Sequence, residues 1–368
     1  MRLTGRVSRR WVAVIAALAV AGVLLLLPAP KPAARTPAHT GAPTLAEVWP
    51  SAGPVSLPAT LPDGDSYSPL LVLDATSSVG YTISPDSTRT ALVLLSDPAH
   101  PRTLQAISPR TGDAISAVTA TAEWLYWVRS VTDERGQQHA SIWSADRGGG
   151  SVHQLTADGG AAVFSNSRYD LQVVGVRLYW AAAPVVVPKV TEVRSVALVG
   201  GAVSVQTFSG RYALTSWPWL TSAIGTIGGP NELVNLLTGE RLRIPTEPDQ
   251  QITCTPVWCR VMVSSPAGAE IAVQRPDGRD RRRINEPGEG IATTDVALLD
   301  RFAILTAPVT ADPDNATLTV VLYDLATAQR VVVAPVATGV FARGTWLCWT
   351  TGDNETLSWH LLDLTSLR

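Results

Sequence analysis

A strand–turn–strand pattern recurs along this chain and restricts the folds that it can adopt. In "SIWSADRGGGSVHQLT" (Ser141–Thr156), alternating apolar and polar residues lead into a glycine-rich turn and a second short strand. Six further copies begin at Thr103, Val193, Glu232, Glu270, Thr319 and Leu357. An apolar, often aromatic strand precedes each copy, beginning at Ala91, Trp124, Arg177, Ser216, Trp258, Arg301 and Trp346. A repeat of roughly forty residues with several short strands is typical of a four-stranded propeller blade.

The repeat predicts an all-β protein, a β-propeller with seven blades. A six-bladed ring and an irregular pair of β-sandwiches are the alternatives. The last copy ends at the C-terminus before its second strand, whereas Thr44–Leu61 has strand character and no repeat of its own. We expect this N-terminal segment to complete the final blade, because that pairing removes an open sheet edge.

The N-terminus has the composition of an export or anchor segment. Residues 1–35 contain six basic residues and no acidic one, and Trp11–Leu27 is an unbroken apolar run. As a helix this run would span about 26 Å, near the short limit for a bilayer core. Prolines at positions 28, 30 and 32 replace the small-residue pattern of a cleavage site, which favours an uncleaved anchor over a cleaved secretory signal.

Four domains follow from this reading. Residues 1–10 form a basic cytoplasmic head, 11–30 a transmembrane helix or signal, 31–44 a stalk rich in proline, alanine and threonine, and 45–368 the propeller. The arginines before the helix predict a cytoplasmic N-terminus in a single-pass cell-membrane protein with an extracytoplasmic propeller. Cleavage of the segment would instead give a secreted protein.

Charge argues against nucleic acid as a partner. Residues 36–368 contain 23 basic and 31 acidic residues, a net charge of −8. The only dense basic run is "RPDGRDRRR" (Arg275–Arg283), which we expect to be a solvated turn balanced by Asp277, Asp280 and Glu286. Contact with anionic lipid, teichoic or nucleic-acid phosphate is the alternative.

Three cysteines follow the apolar run. Cys254 and Cys259 are five residues apart with Pro256 between them, so a local disulfide is expected in an oxidising compartment, two free thiols being the alternative. Cys348, in "WLCWTT", is expected to be a buried free thiol. No histidine lies near these cysteines, and we predict no metal site.

The sequence predicts no catalytic residue and no cofactor. It has no G-x-S-x-G, P-loop or H-E-x-x-H motif. His153 and His360 lie in strands and are the candidates for side chains that line a propeller channel. Trp217 and Trp219, in "SWPWLTS", are the candidates for a rim at which a partner docks.

Two stretches resemble a known repeat. "TISPDSTRTALVLLS" (Thr82–Ser96) and "IWSADRGGGSVHQLT" (Ile142–Thr156) are similar to the repeat of TolB-type β-propellers, with Ser87 where that repeat has glycine. The whole chain also resembles membrane-anchored propeller proteins of actinobacteria. The resemblance implies a propeller on the periplasmic side or cell surface that is used for protein contacts. Peptidases with a similar repeat carry their catalytic triad on a separate hydrolase domain, for which this chain has no room.

The functional hypothesis is an extracytoplasmic, membrane-anchored propeller that binds a protein or an envelope component as a scaffold or sensor. One alternative is an enzyme of the lyase or lactonase type that uses the propeller channel. A purely structural surface protein is the other.

Overall fold

The fold is described from a computed structural model. The described residues are 41–107, 112–134, 136, 138–183, 190–222, 231–266, 268–309, 316–353 and 355–368. The predicted head, the predicted anchor and the stalk up to residue 40 lie outside them. Within the described residues, no helix has the length and apolarity needed to cross a bilayer.

The described chain forms seven four-stranded antiparallel sheets, which confirms the seven-bladed propeller. Two short helical turns accompany the strands: helix α1 is Leu45–Val48, and a 3₁₀ turn spans Leu364–Ser366.

The strands of blades 1 to 4 follow the chain in order. They are β2 (Ser66–Val72), β3 (Ser78–Ile83), β4 (Thr90–Leu95), β5 (Arg102–Ile107); β6 (Ala114–Ala120), β7 (Trp124–Thr132), β8 (Gln138–Asp146), β9 (His153–Thr156); β10 (Leu171–Val174), β11 (Arg177–Ala182), β12 (Val190–Ala197), β13 (Ser204–Ser209); β14 (Tyr212–Leu214), β15 (Trp219–Ser222), β16 (Asn231–Asn235), β17 (Arg241–Ile244).

Blades 5 and 6 follow the same order, and blade 7 takes its fourth strand from the N-terminal segment. The strands are β18 (Gln250–Cys254), β19 (Cys259–Ser265), β20 (Gly268–Gln274), β21 (Arg282–Arg283); β22 (Gly290–Ile291), β23 (Phe302–Pro308), β24 (Leu318–Asp324), β25 (Gln329–Ala337); β26 (Gly339–Arg343), β27 (Trp346–Thr351), β28 (Ser358–Asp363), β1 (Val55–Pro58).

The N-terminal segment closes the ring, as the sequence predicts. Strand β1 pairs antiparallel with β28, from Val55 opposite Leu361 to Pro58 opposite Ser358. Upstream of β1, Pro43 accepts a backbone hydrogen bond from Val332 of blade 6, and Trp49 packs edge-on against Phe302. The N-terminal segment therefore bridges blades 6 and 7 and covers the free edge of β28.

The core is divided among the blade interfaces. Seven hydrophobic clusters occur in the described chain, and each joins a pair of neighbouring blades. Middle strands such as β24 are buried along almost their whole length, because neighbouring blades cover both faces. The outer strand β13 is mostly exposed. This difference explains why the middle strands are apolar runs while the outer strands are polar.

The predicted repeat matches the last three strands of six blades but is out of frame at the first copy. The copy at Thr103 was expected to be a hairpin, whereas its two halves are β5 of blade 1 and β6 of blade 2. Apart from β6, the first strands of the blades were not predicted. Several of these strands are very short, such as β14 and β22, so they carry little periodicity.

Candidate functional site

The first strand of each blade lies next to the propeller axis. First strands of neighbouring blades contact each other, as β2 does with β6 and β26, and β6 with β10. Because the strands alternate in direction, the turn after the first strand and the turn after the third strand lie on the same face of the ring. We call this face the turn face.

Two of the first strands are interrupted. In blade 3, Val163 pairs with Ala181 and Leu171 pairs with the adjacent Trp180, so residues 164–170 are inserted between two successive pairs. In blade 6, residues 293–297 separate Ala292 from Leu298 although their partners on β23, at positions 304 and 302, are only two residues apart. We call the two inserted segments together the axial plug.

The inserted segments meet across the axis. The Ser167 hydroxyl donates to Asp295 Oδ1 at 2.6 Å, and the Thr294 hydroxyl donates to the Asn166 carbonyl at 2.9 Å. The Arg168 amide lies 3.5 Å from Asp295 Oδ2. Blades 3 and 6 are not neighbours in the ring, so these contacts are made through its centre. Beside them lies a cavity of ≈20 Å³, which has room for about one water molecule.

Asp170 fixes the conformation of the blade 3 segment. Its carboxylate accepts hydrogen bonds from the backbone amides of Ser165 and Ser167, at 2.9 and 3.0 Å, and from the Ser165 hydroxyl. The side chain is 5 % exposed. Burial raises the pKa of Asp170 to about 6, although these hydrogen bonds and the charge of Arg343 act in the opposite direction.

Two arginines, Arg260 buried and Arg343 half-buried, balance the acids of the plug. Arg260 of β19 donates Nη1 to the carbonyls of Thr293 and Asp295, both at 3.0 Å, and Nη2 to the carbonyl of Thr294 at 3.1 Å. Arg343, at the end of β26, donates to the carbonyl of Val118 across the axis. Burial lowers the pKa of both, that of Arg260 to about 10.

Titration of Asp170 should make stability depend on pH. Because the folded state raises this pKa, the group's stabilising contribution is complete below its unfolded pKa of about 4 and is lost as the pH rises through about 6. Between pH 4 and 7.5, the wild type should therefore lose up to about 3 kcal/mol of unfolding free energy relative to Asp170→Asn. Urea unfolding at both pH values measures this difference.

The control for this prediction is Asp249→Asn, which removes an exposed carboxylate. Its pH profile should run parallel to that of the wild type. A profile of Asp170→Asn that is also parallel would show that burial does not shift this carboxyl group.

The predicted channel histidines lie away from the axis. His153 is on β9, the outermost strand of blade 2, where Nε2 bonds the Ser144 hydroxyl at 2.9 Å. Ser144 is fully buried, so this serine–histidine pair does not present a nucleophile. His360 is on β28, the third strand of blade 7, where Nε2 bonds the Thr351 hydroxyl and burial lowers its pKa. None of the described histidines is on a first strand.

The other site residues predicted from the sequence mainly contact other parts of the protein. Trp217 lies in the first turn of blade 4 and Trp219 is the first residue of β15, on the turn face. Both are half-buried, and the Trp217 ring lies 4.2 Å from that of Tyr179 in blade 3. Their use as a partner rim stays a prediction. Cys254 and Cys259 form a disulfide across the first turn of blade 5.

Cys348 is buried as a free thiol, and burial raises its pKa. Among the described residues, no three His, Cys, Asp or Glu side chains are placed to hold a metal ion.

Sequence reasoning missed the residues that meet at the axis. Arg260 stands alone in the apolar strand "WCRVMV", and Asp295 in "TTDVAL". An isolated charge inside an apolar run is costly unless it is paired on folding, and this signal could have identified both. Arg260 and Asp295 come from neighbouring blades, whereas the contact of Asp295 with Ser167 joins blades that are far apart in sequence.

The fold is shared with several solved proteins, although the sequence matches no family model and no curated protein. A prolyl endopeptidase superposes with a TM-score of 0.50 and 12 % identity, covering 77 % of this chain and 44 % of its own. An acylaminoacyl peptidase from Pyrococcus horikoshii has a TM-score of 0.46 and 8 % identity, covering 68 % and 44 %. TolB from Acinetobacter baumannii has a TM-score of 0.32 and 10 % identity, covering 68 % and 80 %. The chain thus spans less than half the length of the two peptidases.

The comparison corrects the functional hypothesis. The predicted scaffold or sensor for a protein or envelope component is wrong, because the proteins with similar structures are mostly peptidases. The repeat that suggested the hypothesis specifies the propeller, and one propeller fold serves several functions. The channel-enzyme alternative required His153 or His360 at the axis with carboxylates, whereas the structure places His153 in the fourth strand of blade 2 and His360 in the third strand of blade 7.

Proposed function

We propose that this chain is a non-catalytic propeller module of a peptide-processing system, which receives extended peptides while cleavage takes place on another domain or protein. The fold shared with a prolyl endopeptidase is compatible with this role. The observation that carries the proposal is the axial plug, in which the ring binds a segment of its own backbone.

The blade 3 segment is held as a peptide ligand would be. The Asn166 carbonyl accepts from Thr294, and the Arg168 amide lies within reach of Asp295. Both partners belong to blade 6, so one side of the axis already offers a donor and an acceptor to main-chain groups. A peptide that displaced residues 164–170 would meet the same groups.

Location is a separate proposal that rests on the sequence. We propose that residues 11–30 anchor the chain in the cell membrane, or export it if they are cleaved, and that the propeller lies outside the cytoplasm. The disulfide between Cys254 and Cys259 supports this location, because disulfides persist in oxidising compartments.

Hydrogen exchange of the full chain tests the peptide proposal. A neutral eight-residue peptide of alanine, glycine and serine should bind and speed exchange of the Ser165, Ser167 and Arg168 amides, which the plug now protects. Mass spectrometry should recover the peptide intact. Exchange at the Val193 amide, within the β12 ladder, should not change.

Two results would overturn the proposal. If neutral peptides do not bind, or bind without exposing residues 164–170, the axis does not receive peptide. If the purified chain cleaves the peptide, the module is catalytic.

A further inference from the structure

An arginine-lined cleft lies between blades 5 and 6. Its volume is ≈770 Å³, and we call it the arginine cleft. The lining comes from the first and third turns of both blades, so the cleft opens on the turn face. It comprises Val257, Trp258, Arg275, Asp280, Arg281, Arg282, Asp300, Arg301, Leu325 and Ala326.

The basic run is only partly balanced by acidic residues. Arg275 pairs with Asp280 at 3.2 Å and Arg279 with Asp277 at 2.6 Å. Glu286, the third acid expected to balance the run, pairs with Arg330 instead. The prediction of a balanced solvated turn therefore holds for two of the run's arginines.

Three arginines of the run remain; Arg281 and Arg282 line the cleft, whereas Arg283 hydrogen-bonds Asn285. Arg281 is exposed and makes no hydrogen bond or ion pair with the described residues. Arg282 donates Nη2 to the Leu325 carbonyl, a neutral acceptor, and has no carboxylate partner in the described chain. The lining thus contains two guanidinium groups that have no ion-pair partner in the described chain, together with the carboxylate of Asp300, within a body of net negative charge.

Trp258 orients the guanidinium groups of the cleft. The Arg275 guanidinium carbon lies 3.7 Å from the centre of the indole ring, and that of Arg282 lies 5.4 Å away. Trp258 is itself buried and held by a hydrogen bond to the Asp300 carbonyl at 2.9 Å. Stacking uses the face of a guanidinium and leaves its edge N–H groups for a planar oxyanion such as a carboxylate.

The lining is not satisfied by the protein alone. Arg282 Nε and Asp300 Oδ1 are buried and have no hydrogen-bond partner among the described residues. The carboxylate of Asp280 is 65 % exposed at the edge of the cleft. The site therefore offers acceptors as well as cationic donors, and a ligand with both carboxylate and N–H groups complements it better than a simple inorganic anion.

We propose that the arginine cleft binds the carboxylates of acidic peptides, with Arg281 and Arg282 as the charged donors. This inference rests on the proposed peptide function and names the substrate class for it. A peptide supplies a carboxylate for the guanidinium edges, and it supplies main-chain N–H groups for the carboxylates of Asp280 and Asp300.

Titration calorimetry of the full chain tests the inference. The probes are an acetylated tetraglutamate peptide, the matched tetraglutamine amide and inorganic phosphate. Tetraglutamate should bind the wild type, and Arg281→Gln combined with Arg282→Gln should weaken it at least 10-fold, because each charged hydrogen bond contributes about a factor of ten. Arg283→Gln is the matched control, since it removes the same charge from the next residue, which lies outside the cleft lining.

Three other outcomes would overturn the inference. Equal weakening by Arg283→Gln would reduce the effect to general charge attraction and overturn the inference. Phosphate that binds as tightly as tetraglutamate would also overturn it, because the site would then be an inorganic anion site. If the neutral peptide of the exchange experiment binds while tetraglutamate shows no preference for the intact cleft, the inference fails and the proposed function stands.

Discussion

Replacing Arg260 with alanine is expected to lower the free energy of unfolding by about 3–5 kcal/mol. The side chain is 7 % exposed and supplies the hydrogen bonds to three successive carbonyls, those of residues 293, 294 and 295. This part of blade 6 is inserted in its strand, so no neighbouring strand replaces those bonds. Urea unfolding followed by fluorescence measures the loss.

Two variants locate the cause of this effect. Arg260→Lys keeps the charge but cannot reach all three carbonyls with one ammonium group, so it should fall between the wild type and Arg260→Ala. Arg243→Ala removes an exposed arginine and should change stability by less than about 0.5 kcal/mol. If Arg260→Ala loses less than about 1 kcal/mol, the arginine does not hold the blade 6 segment in place.

Replacing Trp49 with alanine is expected to cost a similar amount, about 3–5 kcal/mol. Trp49 is 6 % exposed and packs edge-on against Phe302, with ring centres 6.3 Å apart. It belongs to the cluster that joins blades 6 and 7, so its loss removes buried apolar surface and loosens the N-terminal segment that closes the ring.

Hydrogen exchange distinguishes release of the closing N-terminal segment from a general loss of packing between blades. In Trp49→Ala, amides of β1 and β28 should exchange faster than those of β24 in the middle of blade 6, because the closing strand is released first. Val55→Ala changes a more exposed residue of the same segment and should have little effect on either measurement. Uniform loss of protection in all blades would show that closure and blade packing are not separable.

The architecture was largely predictable from local sequence. Each repeat alternates apolar middle strands with polar outer strands, since middle strands are covered on both faces and outer strands meet solvent. The missing last strand and the unmatched segment at Thr44–Leu61 indicated how the ring closes. Short first strands such as β22 escaped detection, because two residues carry no period.

The candidate sites were not predictable in the same way. His153 and His360 were chosen because they lie in strands, but residue type and strand membership do not specify distance from the axis. The arginine cleft illustrates the same limit. The charge balance of the basic run was predicted from acidic residues nearby in sequence, whereas Glu286 pairs with Arg330 on β25 of blade 6.

The sequence by itself determined the all-β class, the blade repeat and the strand that closes the ring, because these depend on local periodicity and on edges left without a partner. Only the tertiary structure decided which residues meet at the axis and in the cleft. Ser167 and Asp295 are 128 residues apart, and Arg343 and Val118 are 225 apart. Their contacts exist because a closed ring brings all seven first strands to one axis, and no local pattern records that convergence.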